Sequence, residues 1–217
     1  MATELVIIGA TNPEPVQLIE QINDYKPTWH IIGFVDDDPT KAYTSVLGFP
    51  VLGPLELLAT ELRGVHVANN VTSSTVVRRK VVERLTGYDI VPVTLVHPSV
   101  DIRRAEIGEG TVIYGGNIIS PCVKIGKHCI ISFHNVIAHE SRLGDFVAVA
   151  PGCVITGRIV IEEGVYIGAG ATILPQVHIG AWSKVGAGSV VVKDVPARYT
   201  VLGNPARMLL QHDEADK

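Results

Sequence analysis

Aliphatic residues recur at every sixth position through the second half of the chain. From Ile107 to Val191, every member of this series is Ile, Leu or Val. Neither an α-helix nor a flat sheet has a six-residue period, whereas a coil of short flat faces has one, with three repeats per turn. The residues two places earlier are often small, as at Thr111, Cys129 and Ser141, and we expect them to turn tight corners. The pattern predicts an all-β parallel solenoid of five coils.

Residues 1–96 follow another pattern, in which short apolar runs alternate with helical spacing. The runs predict buried strands at residues 5–8, 30–35 and 65–68. Helices are predicted at residues 15–22 and from Ser73 or Ser74 to about Leu85. This alternation is typical of a small, Rossmann-like α/β domain with about three parallel strands.

The carboxyl ends of those strands are where such a sheet binds ligands. Four polar or small residues follow the predicted strands and are therefore candidate substrate-binding residues: Gly9, Asp36, Asp37 and Asn69. We expect residues 1–96 to form the substrate-binding domain, residues 97–210 the solenoid domain with a C-terminal extension, and residues 211–217 a flexible tail.

Composition excludes several classes of protein. The 217 residues carry a net charge of −4, which disfavours a nucleic-acid surface. No apolar run approaches the ~20 residues of a membrane span, and no secretory signal begins the chain. We expect a cytoplasmic protein whose three cysteines (Cys122, Cys129 and Cys153) are small buried residues rather than disulfide partners or zinc ligands.

Apolar residues also occur at positions that a solenoid would turn outward, among them Val112, Ile118, Ile130 and Val136. Exposed aliphatic faces are typical of surfaces that meet other copies. We therefore expect a homotrimer about an axis parallel to the solenoid.

Motifs in both halves resemble bacterial sugar acyltransferases of the left-handed β-helix superfamily. Residues 33–39 (Gly-Phe-Val-Asp-Asp-Asp-Pro) and 48–53 are similar to the N-terminal domain of sialic acid O-acetyltransferases and nucleotide-linked 4-amino-sugar N-acetyltransferases. Residues 137–140 (Ile-Ala-His-Glu) resemble their catalytic stretch, and residues 201–207 the closing motif. The resemblance implies an acetyl-CoA-dependent enzyme of surface glycan synthesis, with a nucleotide-linked sugar as acceptor and active sites between subunits.

By the same resemblance, His139 is the general base and Glu140 orients its ring. An imidazole with a pKa of about 6.5 can accept the proton that an amine loses when it attacks a thioester. Counting eighteen residues per coil places Gly157 over His139, where its amide would face the thioester carbonyl. Ala169 and Ala187 fall where the family's pantetheine arm runs, and Asp36 and Asp37 match an acidic pair that contacts the nucleotide.

The chain departs from the family pattern in three places. Its first loop, residues 9–15, is usually rich in glycine and histidine, but here it contains Pro13, Glu14 and Pro15. Two prolines remove amide donors, and a carboxylate repels a diphosphate. A second family histidine, nine residues after the first, is replaced by Ala148. His134 stands where a small residue is usual.

Three alternatives follow from these residues. O-acetylation of sialic acid would use the same base. A zinc carbonic anhydrase of the β-helix type would need a third histidine two coils before His134, but that position is Pro98, and His97 is displaced by one. A non-catalytic binding module is the third alternative. We favour N-acetylation of a 4-amino group on a nucleotide-linked deoxysugar, without a metal.

Overall fold

The computed structural model describes residues 2–72 and 74–211 as an α/β domain followed by a left-handed parallel β-helix. The N-terminal elements are β1 (Thr3–Ile8), α1 (Glu14–Tyr25), β2 (Trp29–Val35), β3 (Ser45–Val46), β4 (Phe49–Gly53), β5 (His66–Asn69), α2 (Thr75–Arg84) and β6 (Val91–Pro92), with 3-10 turns at Pro39–Lys41 and Leu55–Ala59. Among residues 2–72 and 74–211, no helix is long and apolar enough to cross a membrane.

The N-terminal sheet has the order β3-β4-β2-β1-β5-β6, with β3 antiparallel and the other strands parallel. The predicted strands and both helices are confirmed, and Ser74 caps α2 by accepting a hydrogen bond from the N–H of Val77 at 3.4 Å. Ser73 lies outside the described residues. The predicted width of about three strands is wrong. The additional strands are short, and Pro50 interrupts the apolar run of β4, so that they lack the pattern of a buried strand.

The β-helix begins at β7 (Leu95–Val96) and continues through fifteen more two-residue strands: β8 (Glu106–Ile107), β9 (Val112–Ile113), β10 (Ile118–Ile119), β11 (Lys124–Ile125), β12 (Ile130–Ile131), β13 (Val136–Ile137), β14 (Arg142–Leu143), β15 (Ala148–Val149), β16 (Val154–Ile155), β17 (Val160–Ile161), β18 (Tyr166–Ile167), β19 (Thr172–Ile173), β20 (His178–Ile179), β21 (Lys184–Val185) and β22 (Val190–Val191). A hairpin of β23 (Tyr199–Leu202) and β24 (Arg207–Gln211) follows. Each strand pairs with the strand one coil away, as Ile137 does with Ile155. The eighteen-residue coil is therefore confirmed. Of the predicted tail, Gln211 ends β24 and the remainder lies outside the described residues.

The corners of the β-helix are turned by residues with a left-handed backbone. From Gly110 to Gly188, every sixth residue has φ between 53° and 76°, although many of them are not glycine. The prediction that the small residues turn the corners is wrong. These residues follow the corner positions, and their side chains point inward. The hydroxyl of Thr111 accepts a hydrogen bond from the N–H of Cys129 at 3.0 Å, and that of Ser141 from Ile159 at 3.2 Å. They join neighbouring coils inside the core.

Three faces and three edges define the β-helix. The domain face comprises β7, β9, β12, β15, β18, β21, β23 and β24; the apolar face comprises β10, β13, β16, β19 and β22; the charged face comprises β8, β11, β14, β17 and β20. The apolar face presents Ile118, 61% exposed, and Val154, 37% exposed. The charged face presents Glu106, Lys124 and Arg142.

The N-terminal domain packs against the domain face of its own chain. Val112 and Ile130 are buried in one hydrophobic cluster with Ile7 and Val16. The expectation that these two outward residues meet other copies is therefore wrong, because the tertiary packing of the same chain covers them. Ile118 and Val136, on the apolar face, are not covered in this way.

Helix α2 lies along the edge between the charged and domain faces. The hydroxyl of Thr75 donates to the carbonyl of Gly164 at 2.8 Å, and Nη2 of Arg78 to that of Phe146 at 3.2 Å. Arg79 stacks 5.3 Å above the ring of Trp182. Residues from three successive coils thus fix the N-terminal domain on the β-helix.

Candidate active site

His139 lies on the edge between the apolar and charged faces, which we call the His139 edge. It follows β13, and its side chain is 56% exposed. Gly157 lies directly above it in the next coil. A Cβ built on Gly157 would meet Nε2 of the ring at 2.7 Å. Glycine is therefore required here for space and not for a left-handed backbone, because its φ lies outside that region. The N–H of Gly157 donates to no partner within the described residues.

Glu140 connects His139 to the next coil. It occupies a left-handed corner with φ of 61°, and its Oε1 lies 3.5 Å from Nδ1 of His139. Its Oε2 accepts a hydrogen bond from Nε of Arg158 at 3.0 Å. The Arg158 guanidinium, and to a lesser extent His139, hold the pKa of Glu140 below its ordinary value. The carboxylate is ionised and faces Nδ1, which leaves Nε2 directed toward Gly157.

Ala169 and Ala187 lie on a different edge from His139. Both are exposed corner residues between the domain and apolar faces, on what we call the alanine edge. Within one chain the structure does not bring them to His139, because the whole apolar face separates the two edges.

Asp36 is engaged within its own chain. Its carboxylate accepts hydrogen bonds from the N–H groups of Ala10 and Asp38 and from Nζ of Lys41, at 2.8, 3.0 and 2.8 Å. Burial acts to raise the pKa of Asp36, but these three donors outweigh it and the net shift is downward. Lys41 also donates to the hydroxyl of Thr11. Asp36 therefore fixes the first loop onto the end of β2.

Asp37 and Asn69 have separate surroundings. Asp37 accepts the N–H of Leu55 at 3.0 Å and pairs with Arg84. The buried Asn69 accepts the N–H of Val71 through Oδ1, while its Nδ2 has no partner among the described residues. Gly9, with φ of 92°, follows β1 at the same sheet edge.

A cavity of about 230 Å³ lies between the first loop and the domain face. Asn12 lines it from the first loop, Glu14 from the start of α1, Arg78 from α2, and Phe133 and Pro151 from the alanine edge. Phe133 and Pro151 belong to the corners that precede His139 and Gly157 by six residues. The cavity therefore opens at the same height along the β-helix as His139, but at a different edge.

The thiols and potential metal ligands offer no second site. Cys129 and Cys153 are buried as expected, and burial raises the pKa of Cys129 to about 12. Cys122 is exposed, which contradicts the expectation that all three are buried, because it occupies an outward corner. Among the residues that the structure describes, no group of three or more His, Cys, Asp or Glu side chains could hold a metal ion.

Two functional candidates were not identified from the sequence. Arg158 lies eighteen residues after Glu140, so the coil length that placed Gly157 over His139 would also have found it. Arg78 gave no such signal, because its burial depends on how α2 packs on the β-helix.

Comparison with known proteins gives matches along nearly the whole chain. The family described as "Bacterial transferase hexapeptide (six repeats)" matches residues 158–193. The GDP-perosamine N-acetyltransferase of Escherichia coli O157:H7 is 34% identical over 158 residues, which are 70% of this chain and 68% of that protein.

Two solved structures share the fold. One is a variant of the perosamine N-acetyltransferase from Caulobacter crescentus in complex with CoA and GDP-perosamine, 30% identical, with a TM-score of 0.86 over 97% of this chain and 99% of that one. The other is the acetyltransferase domain of PglB from Neisseria gonorrhoeae, also 30% identical, with a TM-score of 0.85 over 95% and 99% of the two chains.

Proposed function

The chain belongs to the bacterial hexapeptide-repeat sugar acetyltransferases, and we propose that it transfers the acetyl group of acetyl-CoA to the 4-amino group of a nucleotide-linked deoxysugar. The observation that carries this proposal is the arrangement of Glu140, His139 and Gly157 in neighbouring coils. The relatives named for GDP-perosamine support the substrate class. An N-terminal domain with polar strand ends is suited to the nucleotide.

His139 is the general base of the proposed reaction. The Glu140 carboxylate, 3.5 Å from Nδ1, favours the tautomer that carries its proton on Nδ1, which leaves the lone pair of Nε2 to take the proton that the attacking amine loses. Arg158 keeps the Glu140 carboxylate ionised and in place. The carboxylate also stabilises the imidazolium that forms.

Gly157 contributes space and a donor. Without a side chain it leaves room for the thioester beside Nε2, and its free N–H suits the oxygen that becomes negative as the amine attacks. The nitrogen–carbon bond forms, the thiolate of CoA departs, and the amine proton passes to His139. We propose direct transfer, because the thiols of Cys129 and Cys153 are buried and hydrogen-bonded inside the core and the exposed thiol of Cys122 has no hydrogen bond to a base among the described residues.

The active site is completed by a neighbouring copy in a homotrimer. The N-terminal domain of each chain lies on the domain face, and the His139 edge is the one edge that does not border this face. If the apolar faces of three copies surround a common axis, the His139 edge of one copy abuts the alanine edge of the next. Ala169, Ala187 and the cavity beside Phe133 then lie next to the neighbour's His139.

An acceptor panel tests the proposal. The purified protein is incubated with acetyl-CoA and either GDP-perosamine, a UDP- or dTDP-linked 4-amino sugar, or free sialic acid. Acetylated products are identified by mass, and amides are distinguished from esters by their stability in mild base. We expect an acetamide on a nucleotide-linked sugar and no product with sialic acid. An ester on sialic acid would instead establish O-acetylation. We place the reaction in the cytoplasm, in agreement with three free cysteines.

A further inference from the structure

Arg78 is a buried cation with incomplete hydrogen bonding. The residue is 1% exposed, and its Nη2 donates to the carbonyl of Phe146 at 3.2 Å. Its Nε and Nη1 are buried and have no partner among the described residues. A guanidinium has five N–H donors in a rigid fork, and burying it with most of them unpaired is costly. The surroundings of Arg78 are therefore incomplete as they stand.

No anion within the described part of the chain neutralises Arg78. It forms no ion pair with any Asp or Glu there. Burial lowers the pKa of Arg78 to about 10, which still leaves it charged at neutral pH. The nearby thiol of Cys129, with its pKa raised to about 12, is neutral. A buried positive charge of this kind is suited to an anionic ligand.

The cavity beside Arg78 has the position and lining for such a ligand. Thr72 and Ser132, which carry hydroxyl groups, also line this cavity, and the first loop closes one side of the cavity. Glu14 also lines the cavity, and its carboxylate accepts a hydrogen bond from Nδ2 of Asn12 at 3.0 Å. This carboxylate suits the amino group of an acceptor and not its phosphates.

The first loop has few amides left for a phosphate. The N–H groups of Gly9, Ala10 and Glu14 donate to Val35, Asp36 and Asn12 within the chain. Pro13 and Pro15 have no N–H at all. Thr11 and Asn12 keep N–H groups without a partner among the described residues, but two donors do not form the ring that usually surrounds a phosphate.

We propose that Arg78, and not the first loop, binds the diphosphate of the nucleotide-linked sugar in this cavity. The proposal rests on the proposed function, since that function supplies the diphosphate. A planar guanidinium forms paired hydrogen bonds with phosphate oxygens. Binding there would place the sugar at the alanine edge, beside the His139 of a neighbouring copy.

Calorimetric titration of the full chain with GDP and with guanosine tests this assignment. Arg78→Met keeps the length of the side chain and removes its charge, and Arg79→Met, which removes the neighbouring half-exposed guanidinium of α2, is the matched control. We expect Arg78→Met to weaken GDP binding by about 10- to 100-fold and to leave guanosine and acetyl-CoA binding unchanged. Arg79→Met should bind GDP like the wild type. Equal GDP affinity in the wild type and Arg78→Met would overturn the assignment.

Two further measurements apply if Arg78→Met does not fold or if the wild type does not bind GDP. If Arg78→Met fails to fold, inorganic pyrophosphate is titrated against the wild-type complex with GDP. Two results together support the assignment: pyrophosphate displaces GDP while a simple salt of equal ionic strength does not, and Arg78→Lys binds GDP more weakly than the wild type. The absence of either result contradicts the assignment. If the wild type binds none of GDP, UDP and dTDP, the proposed function itself fails. If the wild type binds a nucleoside diphosphate and the Arg78 variants bind it equally well, only the role given to Arg78 is contradicted.

Discussion

The imidazole of His139 lies against the Cα of Gly157, so close that a Cβ at position 157 would come within 2.7 Å of Nε2. This contact joins two neighbouring coils of the β-helix. It also places the candidate base beside a free backbone N–H, which is the arrangement that acyl transfer requires.

Gly157→Ala should therefore displace the ring. Gly157 has no left-handed φ, so the change adds no backbone strain and acts only through the contact with His139. We expect kcat to fall at least about tenfold, with little change in thermal stability. Gly115→Ala is the control, because Gly115 holds the same corner position above His97 with a looser approach of 3.3 Å. Equal losses in both variants would show that the contact with His139 is not responsible.

Arg158→Met should weaken the base indirectly. Without the guanidinium, the pKa of Glu140 rises toward its ordinary value and the carboxylate is less well held. We expect a loss of kcat of about tenfold, smaller than the ~10²-fold expected for the base itself. Arg142→Met, on the charged face and in no ion pair among the described residues, should keep the wild-type kcat. A wild-type kcat in Arg158→Met would contradict the role given to Arg158 and Glu140.

Asp36→Asn should lower stability in a pH-dependent way. The folded protein holds the pKa of Asp36 below its ordinary value of 3.8, so its contribution is complete above that value and is lost as the pH falls through the folded pKa. We expect a loss of about 1–3 kcal/mol at neutral pH, and a smaller difference from the wild type below about pH 4. Urea denaturation at several pH values measures this. Asp24→Asn, an exposed carboxylate of α1, should cost almost nothing. A pH-independent loss in Asp36→Asn would exclude the ionised carboxylate as its cause.

Subunit mixing tests whether the active site lies between copies. His139→Ala removes the base, and Ala169→Trp fills the alanine edge, so each variant alone should be inactive. If one copy supplies His139 and its neighbour supplies Ala169, refolded equal mixtures regain intact sites. With random assembly about one site in four carries both wild-type residues, and activity should recover to about a quarter. Mixtures that stay inactive while forming trimers would place both residues in one subunit's site.

Much of this architecture could be predicted because the β-helix is a periodic structure. A strict six-residue repeat fixes which side chains point inward, and the eighteen-residue coil places Gly157 over His139. The same rule relates Glu140 to Arg158. Local repetition therefore predicts contacts between coils as well as the fold.

Contacts between the two halves of the chain could not be predicted in this way. Val112 and Ile130 have the pattern of exposed residues, but the N-terminal domain covers them. Arg78 lies on a helix with an ordinary polar sequence, and only the packing of α2 on the edge near Phe146 buries it. Such burial depends on tertiary packing, which neither the six-residue repeat of the β-helix nor the helical spacing of α2 reveals.

The most direct test of the account is the acetylation of a nucleotide-linked 4-amino sugar, whichever of the GDP-, UDP- and dTDP-linked ones the protein accepts, followed by mass spectrometry and by release of free CoA. The wild type should add one acetyl group per CoA released, and His139→Ala should do so at least about 10²-fold more slowly with unchanged acetyl-CoA affinity. His178→Ala, which removes another exposed histidine paired with a carboxylate, Glu162, should act at the wild-type rate. If no nucleotide-linked 4-amino sugar is acetylated by the wild type, or if His139→Ala acts as fast as the wild type, the central claim is contradicted.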